Sequence, residues 1–210
     1  MIAFARIVVR KSLLRAVLCV AMLFVASASR ADTFNIDFES FADLDPVGTI
    51  FGATFTNAIV LADGTLAGGS LNELEFPPRS LFNVGFDLGG PMEIVFSTPI
   101  LSFSAYFTYV TALTVQAFTA GNVLVDSAAS SFGTNLVSSG NTPNDFLAVA
   151  GANISRVLIT GDALGGSFVV DDVTFETQAV VAPEPASLLL LGGALAGFVG
   201  RRLRAGRSRT

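Results

Sequence analysis

Read for its alternation of apolar and polar positions, the chain falls into three stretches: an apolar run near the start, a long middle of short alternating segments, and a second apolar run near the end. The clearest alternation is Leu101–Tyr109. Leu101, Phe103, Ala105, Phe107 and Tyr109 share one face, and Ser102, Ser104, Tyr106 and Thr108 share the other. A period of two is that of a strand with one dry and one wet face. The same reading predicts strands at Thr33–Phe38, Thr49–Val60, Met92–Phe96, Leu101–Val110, Leu113–Thr119, Val123–Ser127, Phe146–Val149, Arg156–Thr160 and Ser167–Phe175. Turn signals punctuate them at Asp63-Gly64, Gly68-Gly69, Gly89-Gly90-Pro91, Gly121-Asn122, Gly140-Asn141 and Gly165-Gly166. No segment from Thr33 to Glu176 carries an amphipathic helical period. Many short strands with regular turns predict an all-β fold, an antiparallel β-sandwich of jelly-roll type.

Composition sharpens this in three ways. The 210 residues suit one domain with a sizeable core rather than two. Nineteen phenylalanines against no tryptophan make Phe the expected core filler, and burying each is worth roughly 1.5–3 kcal/mol. Histidine is absent and the single cysteine is Cys19. Ser-His-Asp and Cys-His catalysis and the usual zinc sites are thereby excluded, because each needs an imidazole or a thiolate. The middle domain must also stand without disulfides.

Charge is distributed unevenly. Five bases precede Asp32 and five follow Phe198, so Asp32–Ala182 holds 16 acids against Arg79 and Arg156, a net of −14. Such a domain repels phosphate backbones, and nucleic-acid binding is not expected. It attracts cations, although the plainest reading is that the acids keep an extracellular domain soluble.

The ends carry addresses. Arg6, Arg10, Lys11 and Arg15 precede the apolar Ala16–Ala26, and Ser29-Arg30-Ala31 then offers small residues at −3 and −1. That is the layout of a signal peptide over residues 1–31, cleaved after Ala31 or alternatively after Ala28. An uncleaved anchor is the other reading, but the run is short of the ~20 residues a span needs. At the far end come Pro183-Glu184-Pro185, an apolar stretch over 186–200, and an Arg-rich tail over 201–210 with Arg201, Arg202 and Arg204 at its head. The prolines hold an extended recognition segment. The apolar helix would reach about 22 Å, short for a ~30 Å bilayer core, so flanking residues must help this transmembrane helix span. The arginines keep their own end in the cytoplasm.

This arrangement, about Val181–Arg209, resembles the PEP-CTERM sorting signal of Gram-negative bacteria that make extracellular polysaccharide. The resemblance implies recognition by an exosortase, a membrane-embedded thiol transpeptidase, with cleavage near Pro183–Pro185. It implies a membrane-anchored intermediate and then delivery to the cell surface or beyond. Some ice-binding proteins carry the same tail, yet no regular Thr array supports ice binding here. The expected domains are therefore residues 1–31, 32–178 and 179–210.

A second resemblance covers about Phe34–Glu176. The opening Phe34-Asn35-Ile36-Asp37-Phe38-Glu39 and the ending Phe168–Phe175 are similar to the first and last strands of jelly-roll carbohydrate-binding modules, which often hold a structural calcium between those strands. If Val173 and Phe175 face the core, Asp171 points inward, where it needs a partner or a cation, and Asp172 points outward. Pairing of the first and last strands could then gather Asp37, Glu39 and Asp172, an oxygen set that suits Ca²⁺. The alternative is that these acids are solvated or locally hydrogen-bonded. For sugar binding, Tyr109 belongs to the core, which leaves Tyr106 as a lone exposed ring. Paired carboxylates could serve a glycosidase, but nothing sets a pair at a working separation. The expectation is a non-catalytic surface or matrix protein associated with exopolysaccharide, with a carbohydrate-binding module as the alternative.

Overall fold

The computed structural model describes residues 31–62, 76, 83–178 and 193. The expected signal peptide and transmembrane sorting helix, with Pro183, Glu184, Pro185, Arg201, Arg202 and Arg204, lie outside them. Among the described residues no helix is long and apolar enough to cross a membrane. Ala31–Gln178 forms one compact unit, whose described residues form ten strands. These are β1 (Thr33–Ile36), β2 (Thr49–Ile50), β3 (Ala53–Thr56), β4 (Ala58–Leu61), β5 (Val84–Leu88), β6 (Met92–Tyr109), β7 (Thr114–Phe118), β8 (Leu124–Ala129), β9 (Asp145–Thr160) and β10 (Gly165–Thr177).

All pairings between these strands are antiparallel. The long strands β6 and β9 each serve two layers. Their halves Met92–Phe96 and Ile154–Thr160 lie between β3 and β7, with β2 and β8 beyond. The halves Ile100–Tyr109 and Asp145–Ala150 lie beside β10, whose far edge carries β5 and then β1, with β4 beyond β5. The ladder between β6 and β9 breaks between Val95 and Ile100 and again before Ser102. Pro99, which has no N–H to give a ladder, sits at that break.

Ring contacts show the sheet folding onto itself. Phe96 meets Phe175 at 5.1 Å between centroids, yet the ladder partner of Phe175 is Phe103. Phe38 likewise meets Phe55 of β3 while its ring lies against Gly85 of β5. Met92, Ile94, Phe96, Phe103, Phe107, Val115, Val157, Phe168, Val170 and Phe175 bury their side chains in this one core. Two layers over a shared apolar interior make a sandwich, as expected.

The structure corrects the predicted elements in four places. The expected strand Thr49–Val60 is three strands, divided by Phe51-Gly52 and by Asn57, all at positive φ. Segments read as separate strands on either side of 97–100 and 150–155 are continuous β6 and β9. Strand β5, in Asn83-Val84-Gly85-Phe86-Asp87-Leu88, gave no strand signal because Gly and Asp interrupt it. Leu101 is half-buried, and Ile100 takes the core position, because the ladder irregularity shifts the alternation by one.

Candidate functional site

The last strand carries a further correction. Asp171 pairs with Tyr106 and Thr174 with Ser104, so two residues of β10, Asp172 and Val173, oppose one residue of β6. This is a β-bulge, and Asp172 occupies it at φ 51°, a left-handed conformation that Asp tolerates better than most residues. The extra residue resets the alternation. Val173 and Phe175 still face the core, but Asp171 now shares the outer face with Tyr106 and Thr174 instead of pointing inward.

Asp171 is nonetheless only 3% exposed, and its Oδ1 accepts the Asp172 N–H at 2.8 Å. It lies in a transverse row with Val84, Tyr106 and Phe146, at the margin of a small outer cluster of Leu61, Phe76, Val84 and Val169.

The first and last strands pair, Phe34 with Phe175 and Ile36 with Val173. Asp37 follows directly on β1 and Asp172 directly precedes Val173, so the register sets these two near each other. Asp37 Oδ1 accepts the Glu39 N–H, and Glu39 Oε1 accepts the Asn83 N–H. Among the described residues no group of three or more acids stands ready to hold a metal. Local backbone donors engage Asp37 and Glu39, and the bulge sets the backbone at Asp172.

What the fold builds instead is an aromatic pair on a wet sheet face. Tyr106 of β6 and Phe146 of β9 are ladder partners with ring centroids 5.1 Å apart, tilted by 54°. Phe146 is 54% exposed. Two further rows continue the face away from the rings: Asn35, Thr174, Ser104 and Ala148, then Thr33, Glu176, Ser102 and Ala150. Short side chains leave these rows low beside the rings. The Asn35 Nδ2 donates to Thr174 Oγ1, which fastens β1 to the face. Tyr109 is buried, as expected from its parity. Tyr106, expected to stand alone, has a neighbour that residue-by-residue reading missed. The signal was present in Phe146-Leu147-Ala148-Val149-Ala150, where Leu147 and Val149 face the core and Phe146 is left outside.

Two buried groups frame this site without belonging to it. Tyr109 donates its hydroxyl to Asp145 Oδ2 at 2.8 Å, and that carboxylate also accepts from the Ser131 N–H and hydroxyl. Burial first, and then the hydrogen bond to Asp145, push the phenol above its usual value of 10. Asn135 takes the Tyr109 N–H on Oδ1 and gives Nδ2 to the Phe107 carbonyl. Together they pin the loop between β8 and β9 to the end of β6, next to the strand that carries Phe146.

On the other layer, a shallow cleft of about 430 Å³ is lined by Val95, Pro99, Thr119, Asn122, Ser155 and Arg156. Arg156 is the single base among the described residues. It is already engaged, with Glu93 at 3.1 Å, Asn122 at 3.2 Å and the Phe118 ring at 4.3 Å.

The geometry thus describes a β-sandwich that presents one open, acid-bordered face with a paired aromatic step. Residues 181–204 match the PEP-CTERM protein-sorting motif, which marks the chain for export and sorting to the surface of a Gram-negative cell by an exosortase. No curated relative matches the chain. Among solved structures, it is similar to the K2 cleaved adhesin domain of Lys-gingipain, with 14% identity and a TM-score of 0.47 over 69% of this chain and 99% of that one. It is also similar to the CBM22-1 xylan-binding domain of Paenibacillus barcinonensis Xyn10C, with 13% identity and a TM-score of 0.36 over 74% and 100%. A third similar structure is a CBM29-2 mutant, with 10% identity and a TM-score of 0.37 over 76% and 95%. At these values the likenesses say nothing about activity.

Proposed function

We propose that this chain is a non-catalytic surface protein whose β domain holds extracellular polysaccharide through Tyr106 and Phe146 after exosortase delivery. The exposed Phe146 beside Tyr106 carries the binding half of this reading. A single exposed apolar side chain is ordinary, but Phe146 and Tyr106 form a contiguous ring pair, and the apolar C–H faces of sugars stack on aromatic rings. The reading has the protein held briefly by its C-terminal helix and then cut near Pro183–Pro185.

Both halves are testable. Mass spectrometry of protein recovered from the producing cells should find a new C-terminus within or just before Pro183-Glu184-Pro185, and intact protein ending at Thr210 contradicts processing. In pull-downs with the producer's own polysaccharide, the secreted protein should be retained and Phe146→Ala should lose about tenfold in affinity, the size of one lost aromatic contact. Equal retention of both forms removes Phe146 from the site.

The juxtaposition of Asp37 with Asp172 favours a subsidiary reading, a structural Ca²⁺ joining the first and last strands. It requires calcium to raise the melting temperature and EDTA to lower it. Identical melting in both discards the ion.

A further inference from the structure

The charge around the aromatic pair narrows what can lie on it. The row of the rings contains Asp171 beside Tyr106. Two rows along, Glu176 is exposed next to Ser102, and Asp126 Oδ2 accepts the Ala150 N–H at 2.9 Å, which places a carboxylate at the edge of that row. Tyr106 and Ser102 are four residues apart on β6, about 13 Å along the strand. Asp171 is itself buried, so the carboxylates open to a ligand are the exposed Glu176 and the half-buried Asp126, at the end of the face away from the rings. No base lies on it among the described residues, because Arg156 sits on the other layer in a salt bridge with Glu93. The surrounding domain adds its net −14.

An anionic glycan, carrying uronate, sulfate or phosphate, would meet this field with no base on the face among the described residues to neutralise it. A chain of hexosamine residues with free ammonium groups meets the opposite situation. Its sugar faces can stack on Phe146 and Tyr106, an ammonium over a ring face is attracted by the ring quadrupole, and neighbouring ammonium groups reach the bordering carboxylates. Each exposed ion pair contributes little, but a polymer repeats the group at every residue, so weak contacts accumulate. We infer that the Tyr106–Phe146 face takes a cationic, amino-bearing polysaccharide such as a de-N-acetylated hexosamine polymer. The inference rests on the polysaccharide-binding reading above and adds the chemistry of the ligand.

The test uses the secreted protein and four probes: chitosan, its fully N-acetylated counterpart in soluble oligomers, a neutral β-glucan and alginate. The expected result is binding to chitosan about tenfold tighter than to the acetylated form, weakening as salt rises, with no binding to alginate. Phe146→Ala should lose chitosan about tenfold. Phe146→Trp should hold it at least as well, and circular dichroism should show both variants folded. Glu176→Gln should weaken chitosan about two- to fivefold while leaving the acetylated oligomers unchanged. Chitosan binding that survives in Phe146→Ala overturns the inference, because bulk charge would then suffice. Equal affinity for the acetylated, neutral and amino polymers, all lost in Phe146→Ala, overturns the amino preference and keeps the binding face. Retention of none of the four overturns both.

Discussion

Asp87 shows how much one residue can hold that its local sequence does not advertise. It is fully buried on β5, and its carboxylate accepts the Ser167 and Phe168 N–H groups and the Ser167 hydroxyl at 2.8–2.9 Å. Burial raises its pKa above the ordinary 3.8, against the lowering effect of those hydrogen bonds. A carboxyl whose folded pKa is raised contributes stability that is complete below its unfolded value and is lost as pH climbs through the folded one. Asp87→Asn abolishes that titration. Its stability deficit relative to wild type should therefore be largest near pH 4 and shrink toward neutral, as urea melts across that range would show. Asp87→Ala leaves three donors without an acceptor and should cost more than Asp87→Asn, about 2–4 kcal/mol, with the same decline toward neutral pH. At the same scale, Tyr109→Phe should cost about 1–2 kcal/mol in the same melts, since Asp145 loses a donor and the Phe132 N–H loses the hydroxyl it donates to.

At the scale of elements, β5 depends on the absence of a side chain. A Cβ on Gly85 would lie 3.0 Å from Phe38 Cζ and 3.1 Å from Val170 Cγ1, both buried. Phe38 reaches that position from a left-handed backbone at φ 60°, two residues after the end of β1. Gly85→Ala should destabilise by about 1–3 kcal/mol through overpacking. Adding Phe38→Leu should recover part of that loss, because the two sites touch; additive losses in thermal melts would show that the contact is not the cause. This also explains why β5 escaped notice. Gly85 and Asp87 are poor strand formers locally, and only the ring above one and the hydroxyl beside the other make them fit. The alternation in β6 was legible because it depends on nothing but the core, whereas the bulge at Asp172 was not, since a bulge is defined by the partner strand.

For the whole molecule, the dominant quantity is charge. A domain of net −14 with one ion pair among its described residues repels itself. Moderate salt screens exposed charges more than about 8–10 Å apart, so raising NaCl from a few millimolar to about 0.15 M should raise the melting temperature. A flat response in scanning fluorimetry would mean that the acids are spaced widely enough not to interact.

The chain by itself determined its address and its class. A sorting motif is read as a linear string by another machine, so Pro-Glu-Pro and the residues around it in 181–204 suffice without a fold. Strand periodicity and phenylalanine content were likewise local properties. Tertiary structure alone decided which ring joined Tyr106, that Asp171 turned to the outer face, and that Arg156 was occupied on the opposite layer. Those outcomes depend on register between strands far apart in sequence, where one bulged residue exchanges inside for outside.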